Sequence, residues 1–380
     1  MDLQDYRKQI DEIDEELVKL FCSRMEVAAK IGEFKKENNI PILDYKRERE
    51  KLNYLSDNCP QTMSDYIRSL YSLIFELSSL HQRKQSCGES ALQMSIVNAL
   101  ENTEKAFPGK ALVACQGVEG SFSQQACEKL FDYPNLMFFN SFDSVFAAID
   151  KGLCRYGVLP LENSTAGSVN KIYDLMIRYD FSIVKSTRLK IDHFLLSNKG
   201  TAFADIKEIF THEQAIAQCS DFLRTLENVK ITPCENTALA AKMVFESGRK
   251  DVAAISSRAC ADIYDLQCIK ESIQDQGSNY TRFICISKKL EIYPGADKTS
   301  IMMILPHKPG SLYKTLSRFY ALGINLIKLE SRPLPNSDFE FMFYFDLDAS
   351  VYEENFLSIF DGIDNLCVKM KYLGSYSEVV

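Results

Sequence analysis

Residues 3–35 read LQDYRKQIDEIDEELVKLFCSRMEVAAKIGEFK, and this stretch decides the fold of the first part of the chain. Apolar side chains recur in alternating steps of three and four residues, which is the spacing of a heptad seam along one long helix. A single helix cannot bury such a seam, so we expect a helical bundle that packs against a partner chain. The seam residues are Leu3, Tyr6, Ile10, Ile13, Leu17, Leu20, Val27, Ile31 and Phe34.

One charged residue, Arg24, occupies this seam where an apolar side chain is expected. A charge on a core stripe is costly unless it is paired or binds an anion, although an arginine can also extend to the edge of a bundle. Lys35 lies three turns later on nearly the same face, so the two cations converge. Arg7 lies roughly 25 Å before Arg24 along the helix, and both cannot reach one small ligand within a single chain. Arg7 is therefore either a solvated surface residue or a residue that enters the site of a partner protomer.

Two further helices follow in residues 44–85. Asp44 can cap the first of them, which ends before Pro60, and Ser64 can cap the second. The second of these helices has its own apolar seam, and two of its polar residues lie one turn apart on a shared face. The polar residues on these helices that could face a common site are Asp44, Arg47, Glu48, Ser78 and Gln82.

In order and in near-identical spacing, these polar residues resemble the active-site set of the all-helical chorismate mutases. The resemblance covers residues 1–88 and implies an intertwined homodimer in which Arg7 crosses over to the partner's site. It implies a unimolecular Claisen rearrangement of chorismate to prephenate, which requires positioning and charge complementarity and no nucleophile. The matching residues are Arg7, Arg24, Lys35, Asp44, Arg47, Glu48, Ser78 and Gln82.

The same resemblance implies a role for each of these residues. Arg7 and Arg24 would bind the two carboxylates of the substrate, since a guanidinium binds a carboxylate bidentately. Lys35 and Gln82 would hydrogen-bond the ether oxygen, where negative charge develops. Glu48 would bind the ring hydroxyl, although it could also be the partner of an intrahelical ion pair. The supporting residues would be Asp44, Arg47 and Ser78.

Two other regions follow, so the chain is predicted to be a multidomain protein. Residues 89–110 are polar and are interpreted as a linker, partly helical. In residues 111–288 short apolar runs alternate with amphipathic segments, which indicates an α/β domain in two lobes. Residues 299–380 indicate strand, helix, two strands, helix and strand, which is the βαββαβ order of a ferredoxin-like domain.

Four loop motifs stand between the predicted elements of the α/β region. The first could bind an anion at a helix N-terminus, and it lacks the dinucleotide-binding spacing, which disfavours a nicotinamide site. The second and third follow strands and could equally be helix caps. In the fourth, Thr281 and Arg282 enter a strand that should be largely buried, so the charge requires a partner. The motifs are QGVEGSFSQQA from Gln116, ENSTAGSV from Glu162, THEQAI from Thr211 and NYTRF from Asn279.

Together these motifs resemble the prephenate dehydratase family over nearly the whole region. The resemblance implies that the ring hydroxyl leaves as water and the ring carboxylate as CO2, with Thr281 polarising the leaving hydroxyl. THEQAI departs from the usual motif at Thr211 and Glu213 but retains His212 and Gln214. His193 fits a family position and could equally be a core histidine. The implied binders of the substrate carboxylates are Asn163, Ser164, Gln214 and Arg282.

Two segments near the end of the chain, HKPGSLYKTL from His307 and ESRP from Glu330, resemble the effector-binding segments of the ACT domain. The resemblance implies phenylalanine as an allosteric inhibitor, bound between paired domains. Ser311 stands where the family more often has alanine, which leaves the identity of the effector partly open. A dimerisation module without a ligand is the alternative. The implied effector-binding residues are Gly310, Ser311, Leu312, Glu330, Ser331 and Arg332.

Composition excludes several other classes of protein. The net charge of −8 argues against a general nucleic-acid-binding protein. The twelve cysteines are spread singly and no Cys-x-x-Cys pair occurs, which is typical of reduced thiols in the cytoplasm and disfavours a metal site. We expect no cofactor, no signal peptide and no membrane span.

Two rival interpretations remain open at this point. A two-lobed α/β domain can be a solute-sensing protein without activity, because a fold does not determine a function. Alternatively, the dehydratase could use arogenate, which differs from prephenate at the side-chain keto group, and no residue indicates which of the two is bound.

Overall fold

A computed structural model describes residues 2–41, 44–86, 90–334, 340–361, 363 and 366–380. The chain forms two compact units, Met1–Asn98 with Ile301–Lys371 and Ala99–Ser300 with Tyr372–Val380. Both units are therefore discontinuous in sequence, in contrast to the three consecutive regions predicted above. In the part of the chain that the structure describes, no helix is long and apolar enough to cross a membrane.

The first unit begins with three helices, α1 (Leu3–Glu37), α2 (Tyr45–Asp57) and α3 (Ser64–Ser86), with a 3₁₀ turn at Gln61–Met63. Asp2 and Asp5 form a capping box at the start of α1. Asp44 caps α2 as predicted, because its side chain accepts a hydrogen bond from the backbone N–H of Arg47 at 3.0 Å. Helix α3 contacts both α1 and α2.

Helix α1 packs through small residues and leaves its heptad seam uncovered. Its buried residues are Ala28, Ala29 and Gly32, where the helix lies close to its neighbour. All nine seam residues are exposed, from 44% for Ile31 to 65% for Leu3 and Leu20. An exposed apolar stripe of this length marks a surface that another chain can cover.

Helix α4 (Ala91–Asn102) occupies most of the stretch that was predicted to be a linker. Ile96 is fully buried, and the Gln93 Nε2 donates to the carbonyl of Leu357 at 2.9 Å and to Asp361 Oδ1 at 2.8 Å. This stretch is therefore partly helical, as expected, and the helix buries part of its apolar face, as Ile96 shows. Residues 87–89, where the linker was expected to begin, lie outside the described residues.

The second unit has two lobes, each built on its own sheet. The strands of the first lobe are β1 (Lys110–Gln116), β2 (Tyr133–Phe139), β3 (Tyr156–Asn163), β4 (Gly167–Ser168) and β5 (Ser182–Lys190), and its helices are α5 (Phe122–Leu130), α6 (Phe142–Asp150) and α7 (Asn170–Arg178). The strands of the second lobe are β6 (Phe194–Ser197), β7 (Glu208–Thr211), β8 (Lys230–Pro233), β9 (Val252–Ser256) and β10 (Gln267–Lys270). Its helices are α8 (Glu213–Gln218), α9 (Ser220–Arg224), α10 (Thr237–Ser247) and α11 (Arg258–Ile263).

The remaining strands return the chain to the first lobe and form a third sheet. These strands are β11 (Tyr280–Ser287), β12 (Lys298–Ile304), β13 (Asn325–Pro333), β14 (Phe341–Asp348), β15 (Lys369–Tyr376) and β16 (Glu378–Val379), with helix α12 at Ser311–Ala321. The sheet of the first lobe has the order β16-β5-β11-β3-β1-β2, with β4 paired to β3, and the second lobe has the order β10-β6-β9-β7-β8. Strand β11 lies antiparallel between β3 and β5, so residues distant in sequence meet at its start.

The third sheet has the order β13-β14-β12-β15. Its chain order is strand, helix, two strands, 3₁₀ segment and strand. Where a second helix was expected in this region, the described residues contain a five-residue 3₁₀ segment, Phe356–Phe360. Phe339, where the third predicted strand was expected to begin, is outside the described residues.

Candidate active sites

Arg24 lies against helix α3 and does not extend into solvent. Its Nη1 donates to the hydroxyl of Ser78, and its guanidinium lies 5.7 Å from the centre of the Phe75 ring. Ser78 is buried and donates its own proton to the carbonyl of Ile74 at 2.6 Å. Among the residues that the structure describes, no carboxylate forms an ion pair with Arg24. A half-buried guanidinium held by a hydroxyl retains the capacity to bind an anion.

Glu48 is half-buried on α2 among charges from several elements. Burial is the largest cause that raises the pKa of its carboxyl above the ordinary value. Lys35 and Asp44, two other residues of the predicted set, are therefore close enough to act on it. The neighbouring charges that act on Glu48, in decreasing order of effect, are those of Lys314, Glu76, Lys35 and Asp44.

The remaining residues of the helical set differ in how they are placed. The Oε1 of Gln82 is buried and has no hydrogen-bond donor among the described residues, a costly arrangement that a ligand could relieve. Arg47 contributes its backbone N–H to the cap of α2, and its side chain is exposed. Arg7 is exposed near the start of α1, so the structure does not bring it to Arg24 within one chain.

In the second unit, Thr281 and Asn163 face each other across strands β11 and β3. The Asn163 Nδ2 donates to Thr281 Oγ1 at 2.9 Å and to Asn279 Oδ1 at 2.7 Å. Because the Thr281 oxygen already accepts a hydrogen bond, its own proton is available for another acceptor. Both side chains are more than nine-tenths buried, which strengthens a hydrogen bond to any group placed there.

Asn163 also organises the turn that follows β3. Its Oδ1 accepts hydrogen bonds from the backbone N–H and hydroxyl of Thr165 at 3.0 and 2.7 Å, and from the N–H of Ala166 at 2.8 Å. The Gln218 Nε2 reaches Thr165 Oγ1 at 3.2 Å. The cluster of Asn163, Thr165, Gln218, Asn279 and Thr281 is called the dehydratase cluster below.

Gln214 and Gln218 lie in different surroundings on α8. Gln214 is exposed on α8, whereas Gln218, one turn later, reaches the dehydratase cluster. His212 caps the helix through a hydrogen bond that its Nδ1 accepts from the Gln214 backbone N–H at 3.2 Å. The one feature of the sequence that could have pointed to Gln218 is its position four residues after Gln214, because residues four apart share a face of a helix.

His193 is buried and belongs to the surroundings of the cluster. Its Nε2 lies 2.8 Å from Gln218 Oε1, and its ring meets the edge of Phe122. Burial lowers the pKa of His193 below its ordinary value, which favours the neutral ring. His193 therefore has the features of both alternatives, since it is a core histidine that orients a residue of the cluster.

Two residues expected to bind substrate are committed elsewhere. The hydroxyl of Ser164 donates to the carbonyl of Ser278 at 2.9 Å and accepts from the N–H of Tyr280 at 2.9 Å, so it joins two loops. Arg282 lies on the opposite face of β11 from Thr281 and binds Glu162 at 3.2 Å. Arg282 thus points away from Thr281 and the Ser164 proton is already donated, so substrate binding by these two residues stays a prediction.

The glycine-rich loop after β1 is held by the second lobe. Gly120 has φ +87°, and its carbonyl accepts a hydrogen bond from Ser257 Oγ at 3.0 Å. Tyr264 donates to the carbonyl of Glu119 at 2.8 Å. A Cβ at Gly120 would lie 2.6 Å from Cys260 Sγ, so only glycine fits this close contact between the lobes.

These two sites can be compared with known proteins. The models for chorismate mutase type II and prephenate dehydratase match residues 6–83 and 113–291. A bifunctional chorismate mutase/prephenate dehydratase of Aquifex aeolicus is 31% identical over 381 residues, which is 100% of this chain and 99% of that protein. The chain belongs to this bifunctional family. It carries a chorismate mutase, which forms prephenate from chorismate, and a prephenate dehydratase, which forms phenylpyruvate from prephenate in phenylalanine biosynthesis.

Two other similarities cover the dehydratase. An arogenate dehydratase/prephenate dehydratase of Arabidopsis thaliana is 35% identical over 301 residues, which is 76% of this chain and 78% of that protein. The structure of the Arthrobacter aurescens prephenate dehydratase in complex with L-Phe superimposes with a TM-score of 0.64 at 27% identity, covering 70% of this chain and 90% of that one. In the described residues of the enzyme, no cluster of three or more potential ligands could hold a metal ion.

The region after the dehydratase contains two cavities, and the first predicted effector segment lines both. Gly310 has φ +83°, and nothing lies within 4 Å of the position that a Cβ would take. Ser311 and Leu312 line a cavity of about 380 Å³ together with Phe341 and Phe343. A larger cavity of about 1050 Å³ is lined by Gly310 and Ser311 and also by Glu48 of the mutase.

The second predicted effector segment is placed differently. Ser331 is exposed on β13, whereas Glu330 and Arg332 point to the other, less exposed face of the strand. None of the three lines either of the two cavities described above. Within one chain, the two effector segments therefore do not line a common cavity among these two.

Proposed function

We propose that two copies of this chain form the mutase site together, with Arg7 of one copy and Arg24 of the other binding the two carboxylates of chorismate. The observation that supports this most is the exposed seam of α1, which runs from Leu3 to Phe34. A second α1 would cover that seam and could bring Arg7 of one copy near Arg24 of the other.

Lys35 and Gln82 are proposed to bind the ether oxygen of chorismate. Negative charge develops on this oxygen as the C–O bond breaks, and a fixed cation and amide stabilise it most in that state. Glu48 is proposed to accept a hydrogen bond from the ring hydroxyl. Asp44, Arg47 and Ser78 are assigned supporting roles, because they hold α2 or Arg24 in place.

A mixture of two inactive variants tests the crossing of Arg7. Arg7→Ala and Arg24→Ala should each lack mutase activity as pure proteins. In a hybrid dimer one site keeps both arginines, so equal mixing after dissociation should restore about a quarter of the wild-type mutase activity. No recovery on mixing, with hybrids verified by differently tagged chains, would place Arg7 outside the site.

For the dehydratase, the proposal is that Thr281 donates a hydrogen bond to the hydroxyl that leaves the ring of prephenate. The C–O bond breaks and the hydroxyl takes one proton from solvent to leave as water, while the electrons of the C–CO2 bond complete the aromatic ring and CO2 is released. The hydrogen bond that Thr281 accepts from Asn163 directs the threonine proton outward, and this contact supports the assignment. The side-chain amide of Gln218 is a candidate for a substrate carboxylate, whereas both N–H bonds of Asn163 are donated to Thr281 and Asn279, so carboxylate binding by Asn163 and Gln214 stays a prediction.

Phenylalanine is proposed to bind the ACT region at Gly310, Ser311 and Leu312 and to inhibit the dehydratase. Because Glu330, Ser331 and Arg332 are absent from the cavities beside that loop, we infer that they come from the paired domain of a partner chain. A time course with chorismate tests the whole assignment. Phenylpyruvate should form, and phenylalanine should slow its formation, whereas no consumption of chorismate would contradict the proposal and favour a sensing protein.

Gly310→Val is expected to raise the phenylalanine concentration needed for half-inhibition by at least about tenfold. A β-branched residue does not tolerate the positive φ at this position, and its side chain would occupy the open space where the effector would lie. Gly323→Val is the matched control, because Gly323 also has a positive φ of 71° and open space, but lies after α12. Equal effects of the two substitutions would indicate general strain and not an effector site.

Arogenate is the second candidate substrate of the dehydratase, because one similar plant protein is named for both activities. Direct comparison of kcat/KM for prephenate and arogenate decides between them. We further propose a cytoplasmic location, since all described cysteines are free and most are buried, as in a reducing compartment.

A further inference from the structure

Arg282 is surrounded by oxygen atoms on the face of β11 that points away from the dehydratase cluster. Its Nη2 donates to the hydroxyl of Tyr376 at 2.6 Å, and its Nη1 lies 3.2 Å from Glu162 Oε1. Its Nε lies 3.6 Å from Glu378 Oε2. The side chains of Arg282 and Glu378 are only 6% and 5% exposed, so this is a buried ion pair, and loss of either charge would leave the other with fewer buried partners.

The pairing of β11 with β3 places this arginine one residue from the cluster. Thr281 pairs with Asn163, and the next residue, Arg282, pairs with Glu162. The side chains of these two adjacent pairs therefore point to opposite faces of the sheet. The register shifts immediately afterwards, because Phe283 pairs with Pro160 and the strand bulges. A bulge beside a site re-aims side chains, and a slip of one residue would turn Thr281 to the wrong face.

Two partners of Arg282, Tyr376 and Glu378, lie in the segment 372–380, and several contacts hold this segment against the rest of the unit. Strand β16 pairs with β5, and the hydroxyl of Thr187 donates to the carbonyl of Val379 at 2.7 Å. The hydroxyls of Tyr376 and Ser300 lie 2.7 Å apart. A Cβ at Gly374 would lie 2.3 Å from the carbonyl oxygen of Ile183, so the backbones are in direct contact here.

We propose that Arg282 is a positioning residue of the dehydratase, held by Glu162, Tyr376 and Glu378, and that it keeps Thr281 aimed at the substrate. The segment 372–380 is thereby part of the support of a catalytic residue that lies about ninety positions earlier in the chain. This inference rests on the role proposed for Thr281. An error of about 1 Å in the position of a reacting group can reduce a rate by about a hundredfold.

Glu378→Gln and Tyr376→Phe test the inference, with Arg188→Gln as the matched control. Arg188 binds the other oxygen of the same carboxylate, Glu378 Oε1 at 3.0 Å, and pairs with Arg282 across β5 and β11, but its own side chain is half-exposed. For Glu378→Gln and Tyr376→Phe the dehydratase kcat should fall by about tenfold to a hundredfold, with KM changed much less. Arg188→Gln should retain kcat within about twofold, and mutase activity should be unchanged in all three.

The assays are made well below the melting temperature of each variant, so that a residue that only stabilises the fold leaves kcat unchanged. If Glu378→Gln does not fold, Tyr376→Phe, which lacks a single hydroxyl, gives the result. An unchanged kcat in the folded variants, or an equal loss in Arg188→Gln, would overturn the inference. If Thr281 has no role in the reaction, Thr281→Val will remain active whatever the result for Glu378→Gln. The failure of that proposal is therefore distinguishable from the failure of this one.

Discussion

Arg24→Ala is expected to reduce the mutase kcat/KM by about a thousandfold and to leave the dehydration of added prephenate unchanged. Removing one partner of a desolvated charge pair costs about 2–5 kcal/mol, and about 4 kcal/mol corresponds to a factor of a thousand. The effect should be this large because Arg24 is half-buried and already oriented by Ser78 and Phe75. Little of its binding free energy is then lost to ordering the side chain.

Arg24→Lys and Lys19→Ala are the variants that make this result specific. Lysine keeps the charge but cannot bind a carboxylate bidentately, so we expect an intermediate loss. Lys19 is an exposed cation on the same helix, and its removal should have little effect. Loss of both activities in Arg24→Ala would mean that the residue is structural, and an unaffected mutase would remove it from the site.

Thr281→Val should lower the dehydratase kcat by about 10²–10⁴-fold, which is the usual contribution of a positioned proton donor. Valine has nearly the shape of threonine, so the packing of β11 is kept while the hydroxyl is lost. The Asn163 Nδ2 loses one acceptor but keeps Asn279 Oδ1 at 2.7 Å, which limits the structural cost. The mutase should be unaffected.

Thr281→Ser completes this experiment, because it retains a hydroxyl at the same position. We expect it to keep at least about a tenth of the wild-type kcat, although serine is less constrained in its rotamer than threonine. The rate should therefore follow the hydroxyl and not the methyl group. A Thr281→Val enzyme with full kcat, or a serine variant as inactive as the valine variant, would exclude the hydrogen-bond role.

The helical part of the fold was predictable because its signals are local. A heptad seam, a capping aspartate at Asp44 and a charge at a core position are each visible in short windows of sequence. The packing of the helix at Ala91–Asn102 was not predictable, because it depends on contacts of Gln93 with residues more than 250 positions away. Contacts of that range leave no local pattern.

The dehydratase cluster was predictable in its location but not in all of its members. The ends of β3 and β11 were identified from their polar motifs, and the structure brings Asn163 and Thr281 together. The face of Arg282 could not be read, because β11 is buried on both sides from Thr281 to Ser287 and shows no alternation. A buried charge was correctly expected to need a partner, and that partner is protein.

The division of the dehydratase unit in sequence has a consequence for how such enzymes can be recombined. Exchange of the whole chain after about residue 300 would also exchange Tyr376 and Glu378, two contacts of the arginine beside Thr281. A chimera should therefore retain residues 372–380 of its dehydratase parent, placed after the exchanged residues 301–371. Substitutions in residues 372–380 therefore affect the dehydratase, although these residues follow the intervening part of the chain in sequence.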